Sequence, residues 1–170
     1  MTWEELVPGH CLTRITYDLF DWDDVPATAA IMDNVGGAVS LEWEGLPLTR
    51  ITWSHSPWWE AQGLELGGVV NELARTVDVG FRWPSLIGAR LERVGLSWTL
   101  SPTPQVWAVN LRFSQDRRLI VALGEVTDRV PALSADNLVV TGCESIARSY
   151  WPSNDDGHVT ESSAWGTDED

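Results

Sequence analysis

Two consecutive runs, VWAVNLRF (106–113) and RLIVALGEV (118–126), constrain this chain more than any other feature. In the first, Val109, Leu111 and Phe113 alternate with Ala108, Asn110 and Arg112; in the second, Leu119, Val121 and Leu123 recur at every other position. A period of two puts the apolar set on one face of a strand and would scatter it around a helix. The polar SQDR between the runs is short enough for a hairpin connection, and LIGARLERVGLSWTL (86–100) precedes them across SPTPQ. Three successive antiparallel strands are therefore expected, with Gly95 marking a bulge.

Weaker patterns fill in the rest. CLTRITYDLF (11–20) reads as a strand, and so does NLVVTG (137–142). AVSLEWEGLPLTRITWS puts Val39, Leu41 and Trp43 opposite Ser40, Glu42 and Glu44 and turns at Gly-Leu-Pro, which predicts a hairpin with one wet face. Short helices are expected in four places. TWEEL opens with a capping-box spacing; DDVPATAAIMDNVGG has Asp24 as cap and Gly36-Gly37 as stop; SPWWEAQG and LGGVVNELARTV carry similar signals. A fifth, CESIARSYW, follows the capping-box spacing Thr141-x-x-Glu144 and ends at Pro152. The expected fold class is α+β: an antiparallel β-sheet meander with a few short helices, one globular domain over 1–152 and an acidic, flexible tail over 153–170.

Charge is unevenly placed. Residues 1–65 hold eleven acids against two Arg, residues 66–152 eight against nine, and residues 153–170 six against none, for a net charge of −14. Such a chain repels nucleic acid and anionic membrane and is drawn toward basic surfaces. No run approaches the roughly 18 apolar residues of a membrane span, and MTWEELVPGH lacks the basic and apolar regions of a secretory signal. A cytoplasmic protein is expected. Cys11 and Cys143 stand far apart and are read as small buried hydrophobes, not a disulfide framework.

Motifs for nucleophilic, metal or phosphate chemistry are missing: no H-E-x-x-H, C-x-x-C, G-x-S-x-G, P-loop or G-x-G-x-x-G occurs. His10 and Cys11 are neighbours that a strand would point to opposite faces, His55 sits among loop hydroxyls and His158 lies in the tail. The run Asp21-Trp-Asp-Asp lacks the alternation, the glycine and the closing acid of a calcium loop. Neither a catalytic residue, a metal nor a cofactor is expected.

The stretch YDLFDWDDVP (17–26) carries the functional reading. It sets Asp18, Asp21, Asp23 and Asp24 among Tyr17, Phe20 and Trp22. Carboxylates that crowded are either solvated or matched by a cationic surface, because each buried charge without a partner costs several kcal/mol. Aromatic anchors ringed by acids suit the occlusion of a basic cleft: rings supply affinity, acids supply speed and register. Glu42 and Glu44 on the next hairpin, and Glu60 beside Trp58 and Trp59, are expected to extend the patch. The expected partner-binding set is Asp18, Phe20, Asp21, Trp22, Asp23, Asp24, Glu42, Glu44, Trp58, Trp59 and Glu60.

A strand meander such as VWAVNLRFSQDRRLIVALGEV, followed by NLVVTGCESIARSYWP and a short tail near SAWG, resembles small acidic immunity proteins of bacterial polymorphic toxin systems, over residues 86–165. That resemblance implies a non-enzymatic inhibitor that binds a cognate toxin domain, such as a nuclease, a deaminase or an NAD-consuming enzyme. Two alternatives stand beside it: a small-ligand-binding module with a tryptophan-lined pocket, and a carboxylate-dependent hydrolase.

Overall fold

The computed structural model describes residues 3–6, 8–27, 30–54, 62–68, 72–99, 105–134, 136–149 and 159–160. Among the described residues thirteen strands run β1 (Leu12–Leu19), β2 (Met32–Val35), β3 (Ala38–Trp43), β4 (Thr49–Trp53), β5 (Leu64–Leu66), β6 (Arg75–Asp78), β7 (Leu91–Thr99), β8 (Val106–Phe113), β9 (Arg117–Leu123), β10 (Glu125–Thr127), β11 (Val130–Ala132), β12 (Leu138–Thr141) and β13 (Val159–Thr160). One six-residue helix, α1 (Glu144–Ser149), follows β12. All the strand pairings are antiparallel, in a five-stranded sheet ordered β5-β4-β3-β1-β6, a six-stranded sheet ordered β13-β7-β8-β9-β12-β2 and the separate hairpin β10-β11.

The alternation of the sequence decides how the sheets meet. Ile15 pairs with Leu41 and Tyr17 with Val39 in the first sheet; Val109 pairs with Val121 and Leu111 with Leu119 in the second. These inward faces form one continuous core. Trp43 of β3 stacks on Phe113 of β8 across the interface, with ring centroids 6.1 Å apart. Two half-buried sheets facing each other are the stable way to hide alternating strands.

The expected α+β class is therefore incorrect: the described chain is mostly β-sheet, and no helix in it reaches seven residues. Within DDVPATAAIMDNVGG the segment Met32–Val35 is a strand paired to β12, with Val35 opposite Leu138. Within LGGVVNELARTV the ends belong to β5 and β6, paired to β4 and β1. Pairing to distant strands outweighs the local helix signals. TWEEL gives one 3-10 turn at Trp3–Glu5, and most of SPWWEAQG lies outside the described residues.

Other details are corrected as well. The register shifts in β7 fall at Leu91/Arg93 and Ser97/Trp98, not at Gly95. The helix at 144 forms, but the Thr141 hydroxyl accepts from the Cys143 amide at 3.0 Å and donates to the Ile31 carbonyl. Both cysteines are free; Cys11 is half-buried and Cys143 exposed, so neither is a core residue. No described helix is long and apolar enough to cross a membrane.

Candidate functional site: an acidic groove beside Trp22

The chain changes sheets twice between β1 and β3, and that crossing shapes the site. Beyond β1, Phe20 and Asp23 close a tight turn: the Asp23 amide donates to the Phe20 carbonyl at 3.0 Å, and Asp23 Oδ2 accepts from the Phe20 amide at 2.7 Å. The same Oδ2 accepts from the Gly36 amide at 3.2 Å. A Cβ at Gly36 would lie 2.7 Å from both Asp23 Oδ2 and the Phe20 ring, and one at Gly37 2.4 Å from the Asp18 carbonyl oxygen. The pair Gly36-Gly37 is thus a close approach of backbones between β2 and β3, not a helix stop.

This turn sets Phe20 under Trp22. The rings stack with centroids 4.8 Å apart and planes 24° apart. Phe20 is buried, whereas Trp22 stays 75% exposed. Trp22 therefore has one face held by Phe20 and a large area left to solvent.

Beside it lies an open groove of about 700 Å³. Asp24, Val25 and Pro26 continue the Trp22 wall, Met32 and Asn34 of β2 form the floor, and Glu125, Val126, Asp128 and Arg129 of the β10-β11 hairpin form the far wall. Asn34 Oδ1 accepts from the Val126 amide at 3.1 Å, which fastens the hairpin to the floor. Asp24, Glu125 and Asp128 are exposed, and Arg129 is the one base in the described lining. The site thus combines apolar surface with a net negative rim.

The hairpin turn is strained. Asp128 and Arg129 have φ of 52° and 66°, the two central positions of a turn between paired Thr127 and Val130. Such type I′ turns favour Asn-Gly, since other residues lose about 1 kcal/mol in the left-handed region. Arg129→Gly is expected to stabilise the protein by about 1 kcal/mol, read as a higher urea midpoint; an unchanged or lower midpoint would show that the Arg129 side chain contributes more than its backbone costs.

Under the floor a buried polar network supports the site. Trp83 Nε1 donates to the Tyr17 hydroxyl at 2.7 Å, and that hydroxyl donates to Asp33 Oδ2 at 3.0 Å. Arg82 Nε donates to Asp33 Oδ1 at 3.1 Å, and its guanidinium also bonds the Ala30 carbonyl while lying 4.9 Å from the Trp83 ring centre. Burial raises the Asp33 pKa and the Arg82 hydrogen bond and charge oppose it; burial, then the Asp33 charge, pushes Tyr17 well above its ordinary value. Because both Asp33 oxygens are engaged, the carboxylate works as a structural anchor for β2 and the loop before it.

Only part of the expected binding set meets at this groove. Trp22 and Asp24 line it, Phe20 supports it from below and Asp21 is exposed next to Trp22. Asp23 borders it too, but its carboxylate is buried on backbone amides. Asp18 is 3% exposed on the outer face of the first sheet, where it is ion-paired to Arg50 and accepts from Thr76 Oγ1 at 2.7 Å. Glu42 pairs with Arg14 at 3.3 Å on that same outer face, and Glu44 lies past the end of β3 remote from Gly37. At about 3.3 Å per residue, Glu44 is some ~20 Å along the strand from the groove. Trp58, Trp59 and Glu60 lie outside the described residues.

Glu125, Asp128, Arg129 and Asn34 join the site without having been expected there. For the three hairpin residues the signal was the short alternation EVTDRVPA around an Asp-containing turn. Among the described residues no cluster of three or more His, Cys, Asp or Glu is arranged to hold a metal ion. Comparison with protein-family models, curated proteins and solved structures returned no match to the chain.

Proposed function

We propose that this chain is a non-enzymatic binding protein whose Trp22 groove receives a basic protein partner, and that the partner is a cognate toxin domain, so that the chain acts as an immunity protein. The observation that carries the reading is Trp22: a stacked, exposed tryptophan at the rim of an open groove bordered by Asp24, Glu125 and Asp128. Tryptophan is enriched at interface anchors, where a large ring supplies contact area. The net charge of −14 supports steering toward a cationic surface. The toxin assignment is drawn from the resemblance of residues 86–165 to immunity proteins, and it narrows the partner to a domain toxic in the cell that makes it.

The groove suits a protruding side chain or loop better than a small apolar ligand. It is open and its described lining includes a single tryptophan, whereas drug-sized ligands are mostly enclosed by apolar walls.

Steering by the rim has a kinetic signature. The variant Asp24→Asn, Glu125→Gln, Asp128→Asn is expected to slow association at least about tenfold at low salt and to flatten its salt dependence, with unfolding free energy changed by no more than about 0.5 kcal/mol. Stopped-flow association against the captured partner reads this, and an unaltered rate at low salt would remove the rim from recognition. Asp23 is left out of the variant because its carboxylate holds the Phe20 turn.

A further inference from the structure

β2 ends the six-stranded sheet: β12 pairs with it on one side, and no described strand pairs with it on the other. In an antiparallel ladder each residue turns its N–H and C=O to one edge of the strand, and its neighbours turn theirs to the opposite edge. The Gly124 amide donates to the Asn137 carbonyl at 2.9 Å, so Asn137 faces β9 and Leu138 and Val140, of opposite and like parity in turn, alternate with Val139 in facing β2. Their partners Val35 and Asp33 face back toward β12. Met32 and Asn34 therefore turn their N–H and C=O groups away from the sheet. Both residues are partly exposed, and these groups meet no hydrogen-bond partner among the described residues. Two residues farther on each side the same edge is closed: the Gly36 amide donates to Asp23 Oδ2 at 3.2 Å, and the Ala30 carbonyl accepts from the Arg82 guanidinium. The edge is capped by side chains at both ends and open between them.

The open stretch borders the Trp22 groove. Met32, Asp33 and Asn34 are consecutive and all three line it, although successive side chains of a strand leave on opposite faces. The groove therefore reaches the backbone edge of β2 and not one face alone. Open strand edges recruit other strands, and proteins guard them with charge, short length or a covering segment. Here the guard is charge, since the exposed carboxylates of Asp24, Glu125 and Asp128 stand round the edge. Like charge keeps a second copy of this chain, at net −14, away from it, and opposite charge admits a basic segment.

We infer that the partner enters the groove as an extended basic segment and adds an antiparallel strand to β2, its backbone bonded to the N–H and C=O groups of Met32 and Asn34. This rests on the binding role proposed for the groove and names the form in which the partner is held. Residues opposed in an antiparallel pair send their side chains to the same face of the sheet. The Asn34 side chain leaves on the outer face, where its Oδ1 holds the Val126 amide of the β10-β11 hairpin. Partner residues opposite Met32 and Asn34 thus point their side chains to the face that carries Glu125 and Asp128. Basic side chains are selected at every second position, while the main chain supplies the pairing.

The test titrates the full chain with the peptide acetyl-Lys-Val-Lys-Val-Lys-amide at low salt and follows backbone amides by NMR. The Met32 and Asn34 amides are expected to shift and, in the complex, to exchange with solvent at least about tenfold more slowly. A peptide N-methylated on its lysine amides loses the donors that face β2 and is expected to bind at least about tenfold more weakly; methylation of the valine amides, which face away, should change affinity by no more than about twofold. Binding of this pattern that Trp22→Ala leaves untouched would keep the strand and remove the anchor. Equal affinity of all three peptides, lost in Asp24→Asn/Glu125→Gln/Asp128→Asn, would overturn strand addition and leave the groove a charge-steered site. No binding of the unmethylated peptide would overturn it as well. So would a dimer of the free chain in sedimentation with these two amides already protected, which would put a second copy on the edge.

Discussion

Asp33→Ala is expected to lower the unfolding free energy by about 3–5 kcal/mol. The Asp33 side chain is 1% exposed and that of Arg82 9%. Deleting the carboxylate leaves a buried guanidinium with only the Ala30 carbonyl and the Trp83 ring, and takes the acceptor from the buried Tyr17 hydroxyl. Each loss is of the expensive kind, in which one partner stays behind without water.

The converse change, Arg82→Leu, carries a pH signature whose sign follows from the Asp33 shift. Burial places the folded pKa of Asp33 above its unfolded value of about 3.9, with Arg82 holding it down. A raised acid pKa means that the native state keeps its proton more tightly, so this group's contribution is fully present below about pH 4 and is lost as pH rises through the folded pKa. Removing Arg82 raises that pKa further. Arg82→Leu should therefore be closest to wild type in acid and fall furthest behind it at neutral pH. Urea unfolding at pH 4 and pH 7 reads this, and an equal deficit at both would mean that Asp33 is not ionised opposite Arg82.

Trp22→Ala is expected to weaken partner binding by at least about 2 kcal/mol, roughly 30-fold, almost all of it in the off-rate. Since the ring is mostly exposed, the fold loses little beyond the stack on Phe20, worth about 0.5–1.5 kcal/mol. Trp22→Phe keeps a stacked ring and should recover part of the affinity. An off-rate equal to wild type in Trp22→Ala would make the exposed ring incidental.

The β7-β8-β9 meander was legible in the sequence because its strands are seven to nine residues long, enough to repeat a period of two. β2, β5, β6, β10 and β11 have three or four residues each, too few to show a period. Their state is fixed by partners elsewhere in the chain, as when Met32 pairs with Thr141 and Arg75 with Leu19. Around β2 the local signals favoured helix: alanines after a proline, then a glycine pair whose purpose is backbone contact.

The site divides the same way. The crowding of acids and rings at 17–26 was legible, and Trp22 and Asp24 of that stretch line the groove. Which carboxylates are free was not legible. Asp18 is buried by Arg50 and Thr76, 32 and 58 positions away, and Asp23 by the Gly36 amide. Two of the four acids in that stretch are therefore part of the framework, and the groove takes its remaining charge from a hairpin about a hundred residues further on.

The most direct test of the central claim is a side-by-side capture from lysate of the source cells, using tagged wild type and Trp22→Ala/Asp24→Asn/Glu125→Gln/Asp128→Asn, with mass spectrometry of what each retains at low and moderate salt. The account predicts a stoichiometric basic protein, toxic when expressed alone, that is held by the wild type at low salt and lost both to salt and to the variant. The same proteins held equally by both chains would contradict it.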